Sequence, residues 1–391
     1  MACLLAALVL LAGCAQPLRV GMSGDYPPFA WRDAKGCLRG YDVDLAQAWA
    51  RHEERAMEAV TFRWPELATR LEAGDFDVVM SGVTVRGDRL VLAPMTRATA
   101  ASTAIVVVRQ SEDKGRVHAP GARIAVNRGG HLEKVARASL PQAELLLVDD
   151  NRSLPTLLRD RGIDGVVTDS RELASFEPPP TVASVLRRDR KAFWVAADNP
   201  ELADRLDQWL AALEASGELA RVQQRHFGAD EPDSLSAHDA HLADLLARRL
   251  QLMPLVAEVK SERGLPIDAP QREAQIEERA AAAAGKAGLE RASYLRFVRA
   301  QFRAAKAVQR AHLDEARGTL VVVDLNEQIR PAIDRIDRAL RAALAQARPE
   351  AEPQVLAARV RALAPVAGLD VATSEDLTSA LVGVEAASRR P

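Results

Sequence analysis

Leu18-Arg19-Val20 leads into Gly24-Asp25-Tyr26-Pro27-Pro28-Phe29, and that loop leads into Gly40-Tyr41-Asp42-Val43-Asp44-Leu45-Ala46. The first three residues read as a strand and the glycine- and proline-bearing stretch as a loop. Tyr41 to Ala50 reads as a helix, because its apolar residues recur at helical spacing behind Asp42 and Asp44. Phe76 to Val85 alternates back to strand. Further strands are expected at Ala104–Val108, Arg123–Val126, Leu145–Val148, Gly165–Thr168 and Ala192–Ala196, with helices between several of them. Strands that alternate with helices predict parallel α/β sheets.

The composition divides the chain in two. All five Trp, two of three Tyr and six of eight Phe precede residue 230, and the rest is rich in Ala, Leu, Arg and Glu, a helical composition. At 391 residues, 48% hydrophobic and 27% charged, the chain is neither disordered nor collagen-like. With 52 Lys and Arg against 54 Asp and Glu, no global positive field draws it to nucleic acid or an anionic membrane. Any anion it binds must be held locally.

Residues 2–13 are apolar but too few to span a bilayer, and they end in Leu11-Ala12-Gly13-Cys14. This pattern resembles the lipobox of bacterial lipoproteins, although no Lys or Arg precedes the apolar run. The resemblance implies a signal peptide over residues 1–14, a lipid anchor at Cys14 and an exported, periplasmic chain. With Cys3 and Cys14 in that leader, Cys37 has no intrachain partner, so no disulfide framework is expected.

Met80-Ser81-Gly82-Val83-Thr84 with Arg89, and Val167-Thr168-Asp169-Ser170, join the loop and helix quoted above. Together they resemble the periplasmic amino-acid-binding proteins over residues 17–228. The resemblance implies a two-lobe α/β fold of the periplasmic-binding-protein-like type II class. Lobe 1 would span about 17–107 plus 192–228 and lobe 2 about 108–191, with crossings near Val108 and Lys191. It also implies that Arg89 clamps a ligand carboxylate, which suits the planar guanidinium fork.

A closer likeness is to the periplasmic cyclohexadienyl dehydratases, which turn prephenate to phenylpyruvate and arogenate to phenylalanine. It rests on Trp64-Pro65, on Asn127-Arg128-Gly129-Gly130-His131-Leu132-Glu133-Lys134-Val135-Ala136-Arg137-Ala138, on Asp150-Asn151, and on Asp169 with Glu172. Those dehydratases usually have Thr where this chain has His131, but the flanking Gly129 and Gly130 still let backbone N–H groups approach a carboxylate. Prephenate must lose carbon dioxide and a ring hydroxyl together, and hydroxide leaves poorly unless an acid protonates it. The resemblance gives that task to Glu172, and a shielded cleft would raise its pKa. Asp169-Ser170-Arg171-Glu172 also has the spacing of a capping box, so Glu172 reads equally as a helix-start residue. The resemblance further implies that Tyr26 and Trp64 wall the ring, that Ser81 and Thr84 bind a carboxylate, and that Asn127, Gly130, His131, Asp169 and Lys191 complete the polar shell.

After Glu231-Pro232-Asp233-Ser234, Leu235 begins an expected long helix with the apolar stripe Leu242, Leu245, Leu246, Met253, Val256 and Val259. Arg249 and Lys260 fall on that stripe, where a buried cation needs either a protein carboxylate or an anionic ligand. Pro254 is expected to kink the helix. Further helices are expected over Gln271–Ala284, Ala292–Glu315 and from about Leu320 through Leu340. This half carries no His or Cys cluster, phosphate loop or nucleophile elbow, so no metal, cofactor or covalent intermediate is expected.

Arg249-Leu250, Lys260, Leu265-Pro266-Ile267-Asp268, Arg272, Ala304 to Gln309 and Arg330 resemble the all-α chorismate mutases of the secreted subclass. The resemblance implies a mutase domain over 234–391 in which Arg249, Arg272 and Arg330 hold carboxylates. Lys260 and Gln309 would face the ether oxygen, and Lys306 would add positive field. Such a reaction needs a compact pose and aimed cations only. All-α mutases often pair, so a homodimer through this domain is also implied. The chain thus reads as a multidomain bifunctional enzyme acting on chorismate and then prephenate or arogenate, with no nucleic-acid partner. The rival is a non-catalytic amino-acid-binding lipoprotein of a transport system fused to a chorismate mutase domain.

Overall fold

The computed structural model describes residues 16–160, 162–228, 233–315 and 323–387. The leader with Cys14 lies outside them. In the first lobe, β1 (Leu18–Met22) is followed by the small antiparallel sheet β2 (Asp25–Tyr26), β3 (Ala30–Arg32) and β4 (Leu38–Arg39), then α1 (Tyr41–His52) and β5 (Met57–Thr61). Next come α2 (Leu67–Glu72), β6 (Val78–Val79) and α3 (Gly87–Leu92). Leu18, Val20 and Met22 are wholly buried beneath Trp49 and Tyr41 of α1, which is why this segment holds the lobe centre. Of the strand expected over Phe76 to Val85, Val78 and Val79 form β6 and Thr84 makes an isolated bridge to Lys191.

The long strand β7 (Met95–Val108) then carries the chain into the second lobe: β8 (Arg123–Asn127), α4 (His131–Ser139), β9 (Glu144–Val148), α5 (Leu154–Arg159) and β10 (Gly165–Asp169). The equally long β11 (Thr181–Val195) brings it back to α6 (Pro200–Ala215) and α7 (Glu218–Phe227). β7 and β11 run antiparallel from Trp194 opposite Met95 to Thr181 opposite Val108. β6 joins β11 at Trp194 and Val195, while β10 joins β7 from Ala104 to Val107. The eight strands therefore form one mixed sheet, in the order β5-β1-β6-β11-β7-β10-β8-β9, rather than the parallel sheets expected. The crossing lies near Ala100 and Lys191, which face each other. Val108 is at the far end of β7, opposite Thr181.

The helical half contains α8 (Ala237–Gln251), α9 (Met253–Glu262), α10 (Pro270–Lys286) and α11 (Arg291–Glu315). A π-helical turn over Leu325–Ile329 leads into α12 (Arg330–Gln346), and α13 (Pro353–Leu363) and α14 (Val371–Val382) follow. The Ser236 hydroxyl accepts from the Asp239 N–H at 3.1 Å and so caps α8. The expected long helix breaks at Leu252, with Pro254 in the first turn of α9. Arg249 and Lys260 therefore sit on two helices, not on one face of one. Leu356, Val360, Leu377 and Leu381 of α13 and α14 close the bundle core.

The halves share that core. Val85, Leu90, Val91 and Ala192 of the first lobe belong to the same apolar cluster as Leu246, Leu250 and Met253. A Cβ on Gly87 would lie 2.5 Å from the Gln251 carbonyl oxygen, so the first turn of α3 touches α8 only because it has no side chain there. The buried Arg248 donates to the Thr96 carbonyl at 2.8 Å, and Arg335 donates to the Leu90 carbonyl at 3.1 Å. These contacts bind the bundle to α3 and to the foot of β7.

Candidate functional site

The cleft between the lobes is lined by Tyr26, Trp64, Gly82, Thr84, Arg89, Asn127, Gly130, His131, Leu132, Asn151 and Lys191. They enclose about 30 Å³, room for one or two waters, so a ring-sized ligand requires the lobes to part. Gly82 has φ +62°, and a Cβ there would lie 2.5 Å from the Tyr26 ring, so glycine lets Tyr26 lie against the cleft floor. Trp64 packs edge-on to Tyr26 at 5.5 Å and donates to Asp25 at 3.2 Å.

Arg89 stands on α3, 6% exposed, with its guanidinium 5.6 Å from the Trp194 ring centre. It donates to the Thr84 carbonyl at 2.8 Å and has no carboxylate partner among the described residues. Burial pulls it down to about 9, which still leaves it charged near neutrality. Lys191 is satisfied by the protein: its Nζ reaches Thr84 Oγ1 at 2.9 Å, Tyr26 Oη at 3.0 Å and Asp169 Oδ2 at 2.9 Å. Tyr26 Oη in turn donates to Asp169 Oδ2 at 3.0 Å. Asp169 thus lies one side chain behind the cleft wall.

Glu172 is 4% exposed and occupies the same second layer. Thr168 Oγ1 donates to its Oε2 at 2.7 Å, the Asp169 N–H at 3.3 Å, and the Asn151 amide to its Oε1 at 3.2 Å. The capping box formed with Asp169 is real, so the local and the chemical readings of Glu172 coexist. Burial pushes Glu172 up to about 8, with the Asp169 charge adding to the rise. Asn151 Oδ1 is buried and unpartnered; a half-turn of that amide would let it accept from a protonated Oε1.

Ser81 is a correction. Its hydroxyl accepts from the Ser23 N–H at 2.9 Å and donates to Ser23 Oγ at 3.0 Å, so it pins the β1 loop instead of lining the cleft. Thr84, Asn127, Gly130 and His131 do line it. Three residues outside the expected set matter: Asn151, Thr168 and Asp42. Asp42 accepts from the Gly82 N–H at 2.5 Å and is pushed by burial up to about 7. Its place in the first turn of α1 gave the ordinary signal of a helix-start acid.

In the bundle, Lys260 donates to the Ile267 carbonyl at 3.0 Å. Burial, then the charge of Arg330, lowers its pKa, and burial and Arg272 lower that of Arg330. Lys306 pairs with Glu273 at 2.8 Å and Asp268 at 3.1 Å. Lys260, Arg272, Lys306 and Arg330 therefore meet at one end of the bundle. Among the described residues Lys260, Arg272 and Arg330 have no carboxylate partner. Gln309, 5% exposed, touches Met253 Sδ at 3.8 Å with its Oε1 unpartnered. Arg249 is paired with a protein carboxylate, Asp337 at 2.8 Å, and its buried Nη1 has no partner among the described residues.

Residues 18–229 match the model of the bacterial extracellular solute-binding proteins, family 3. The chain belongs to that family. Residues 233–310 match chorismate mutase type II, in keeping with the helical half. Within family 3, the chain is 31% identical to a cyclohexadienyl dehydratase of Pseudomonas aeruginosa over 54% of its own length and 82% of the relative's. It is 25% identical to the ABC transporter arginine-binding protein 1 of Escherichia coli, over 58% of this chain and 97% of that one. The crystal structure of an ancestral amino-acid-binding protein, a precursor of cyclohexadienyl dehydratase, superposes with a TM-score of 0.51 at 27% identity, covering 54% of this chain and 95% of its own. No helix of the described residues is long and apolar enough to cross a membrane.

Proposed function

We propose that the chain is an exported bifunctional enzyme: the bundle rearranges chorismate to prephenate, and the cleft converts prephenate to phenylpyruvate. The observation that carries the reading is Glu172, a carboxyl raised to about 8 beside a cleft that also holds an unpaired Arg89. With a substrate carboxylate on Arg89, the ring hydroxyl takes the hydrogen-bonding position at Glu172 now held by Asn151. Glu172 gives its proton to that oxygen, which leaves as water. The electrons of the breaking bond to carbon dioxide flow into the ring and make it aromatic, and Glu172 is left as a carboxylate to be reprotonated from solvent.

In the bundle no proton moves. Chorismate is a dianion whose ether oxygen gains negative charge as it rearranges, and Lys260, Arg272 and Arg330, which have no carboxylate partner among the described residues, supply the compensating field, with Gln309 at the ether side. The first relative's activity and the match to chorismate mutase type II support consecutive steps on one chain. The test is phenylpyruvate formation from purified protein and prephenate, set against Glu172→Gln.

The second reading, a non-catalytic amino-acid binder, has the arginine-binding relative in its favour. An amino acid needs a carboxylate for its ammonium group. Asp169, behind the cleft wall, is already held by Lys191 and Tyr26, which speaks against it. Binding of L-arginine without turnover of prephenate would establish this reading instead.

A further inference from the structure

His131 opens α4 behind Gly130, whose position at the helix start carries no side-chain cap. Gly130, His131 and Leu132 line the cleft at this helix start, so the first turn offers it an anion site. His131 lines that cleft, 7% exposed, with Nε2 at 2.8 Å from Asp189 Oδ2. Asp189 is held below the usual carboxylate range: burial opposes this, but the His131 hydrogen bond, His131 and Lys191 outweigh it. Arg187 holds its other oxygen at 3.1 Å. An ionised Asp189 requires the ring proton on Nε2, so in the neutral imidazole Nδ1 carries a lone pair. That Nδ1 is buried and has no partner among the described residues.

A lone pair there would repel a carboxylate seated between Arg89 and the start of α4. We propose that His131 takes up a proton at Nδ1 when a carboxylate binds, so that the His131–Asp189 pair becomes a second, proton-loaded clamp opposite Arg89. This rests on the cleft binding a carboxylate, whether or not it turns one over. The charges facing His131 are Asp189 and Lys191 from β11, and Arg86, itself paired with Asp88 at 2.7 Å, from the approach to α3. Without ligand, burial pulls His131 down to about 4, so the free ring is neutral near pH 7. A bound carboxylate raises that value, and between the free and bound values binding consumes a proton and strengthens as pH falls.

The experiment is titration calorimetry of the full chain with phenylpyruvate and with L-phenylalanine, each bearing one carboxylate, in buffers of different ionisation enthalpy. At pH 6 the proposal predicts uptake approaching one proton per bound ligand, and a Kd that rises by up to about tenfold per pH unit above it. Glu172 and Asp42 titrate at higher pH and are already protonated there. His131→Thr, whose hydroxyl donates without taking a proton, should bind with no uptake at pH 6. If that variant melts early, Asp189→Asn serves instead, and should cut the uptake by removing the charge that supports the imidazolium. Binding without uptake in the unaltered protein, uptake that survives both substitutions, or no binding of either probe overturns the proposal. Prephenate turnover by the same preparation reports separately on the dehydratase reading.

Discussion

On the proposed function, the cleft and the bundle meet a dianion by opposite means. In the cleft the charges are mostly settled within the protein: Lys191 is saturated by Asp169, Tyr26 and Thr84, which leaves Arg89 without a carboxylate partner and Glu172 as a carboxyl raised by burial. In the bundle Asp268 pairs with Lys306 at 3.1 Å and Arg310 at 2.6 Å and Asp324 with Arg263 at 2.7 Å, while Lys260, Arg272 and Arg330 have no carboxylate partner among the described residues. Deep burial makes a carboxyl into an acid that can give up a proton; partial exposure keeps lysine and arginine charged. One site stores a proton and the other a field.

The sharpest way to break this contrast is Glu172→Gln, which should lower phenylpyruvate formation about 10²–10⁴-fold while chorismate is consumed at the normal rate, so that prephenate accumulates. An equal loss in both steps would mean damage to the fold. Lys260→Ala should slow chorismate loss by about 10²–10³-fold with an unchanged melting temperature and normal turnover of added prephenate. Leu90→Ala tests the shared core: it should cost about 2–5 kcal/mol in denaturant unfolding, and because α3 carries Arg89 it should weaken the cleft more than the bundle. Unaltered stability would separate the two halves energetically.

A pH profile sharpens the comparison further. On the proposed mechanism the acid form of Glu172 does the work, so the dehydratase rate at saturating substrate should be level below about 8 and fall above it. Thr168→Val removes a hydrogen bond that favours the ionised carboxyl. The falling limb should then move to higher pH, with about a twofold change or less at pH 7, where the group is already protonated.

Much of this was legible in the sequence because local chemistry carried it. The first strand, its loop and α1 follow from periodicity, and α11 was expected at 292–315 and runs over Arg291–Glu315. The hinge strands were half hidden. Met95 to Thr103 and Thr181 to Arg190 carry Thr, Ser, Arg and Asp where a strand pattern expects apolar residues, and they hold together by pairing with each other. Phe76 to Val85 is buried nearly throughout for tertiary reasons, so its apolar run overstated the strand. The break at Leu252 was flagged by Pro254, but its consequence for Arg249, which turns to Asp337, depends on α12 and could not be read from spacing. The shared core was invisible for a related reason: nothing local to Leu90 and Val91 says that their cover comes from another domain. Thr168 enters the site only through contact with Glu172, and Asn151 through that contact and its place on the cleft wall.

The central claim is that both steps run on one chain, and a single cuvette tests it. Purified full-length protein is mixed with chorismate alone, and chorismate loss and phenylpyruvate gain are followed together. The account predicts that phenylpyruvate appears as chorismate falls, that Glu172→Gln stops the sequence at prephenate, and that Lys260→Ala stops it before prephenate. Chorismate left untouched, or prephenate accumulating unconverted in the unaltered protein, would contradict it.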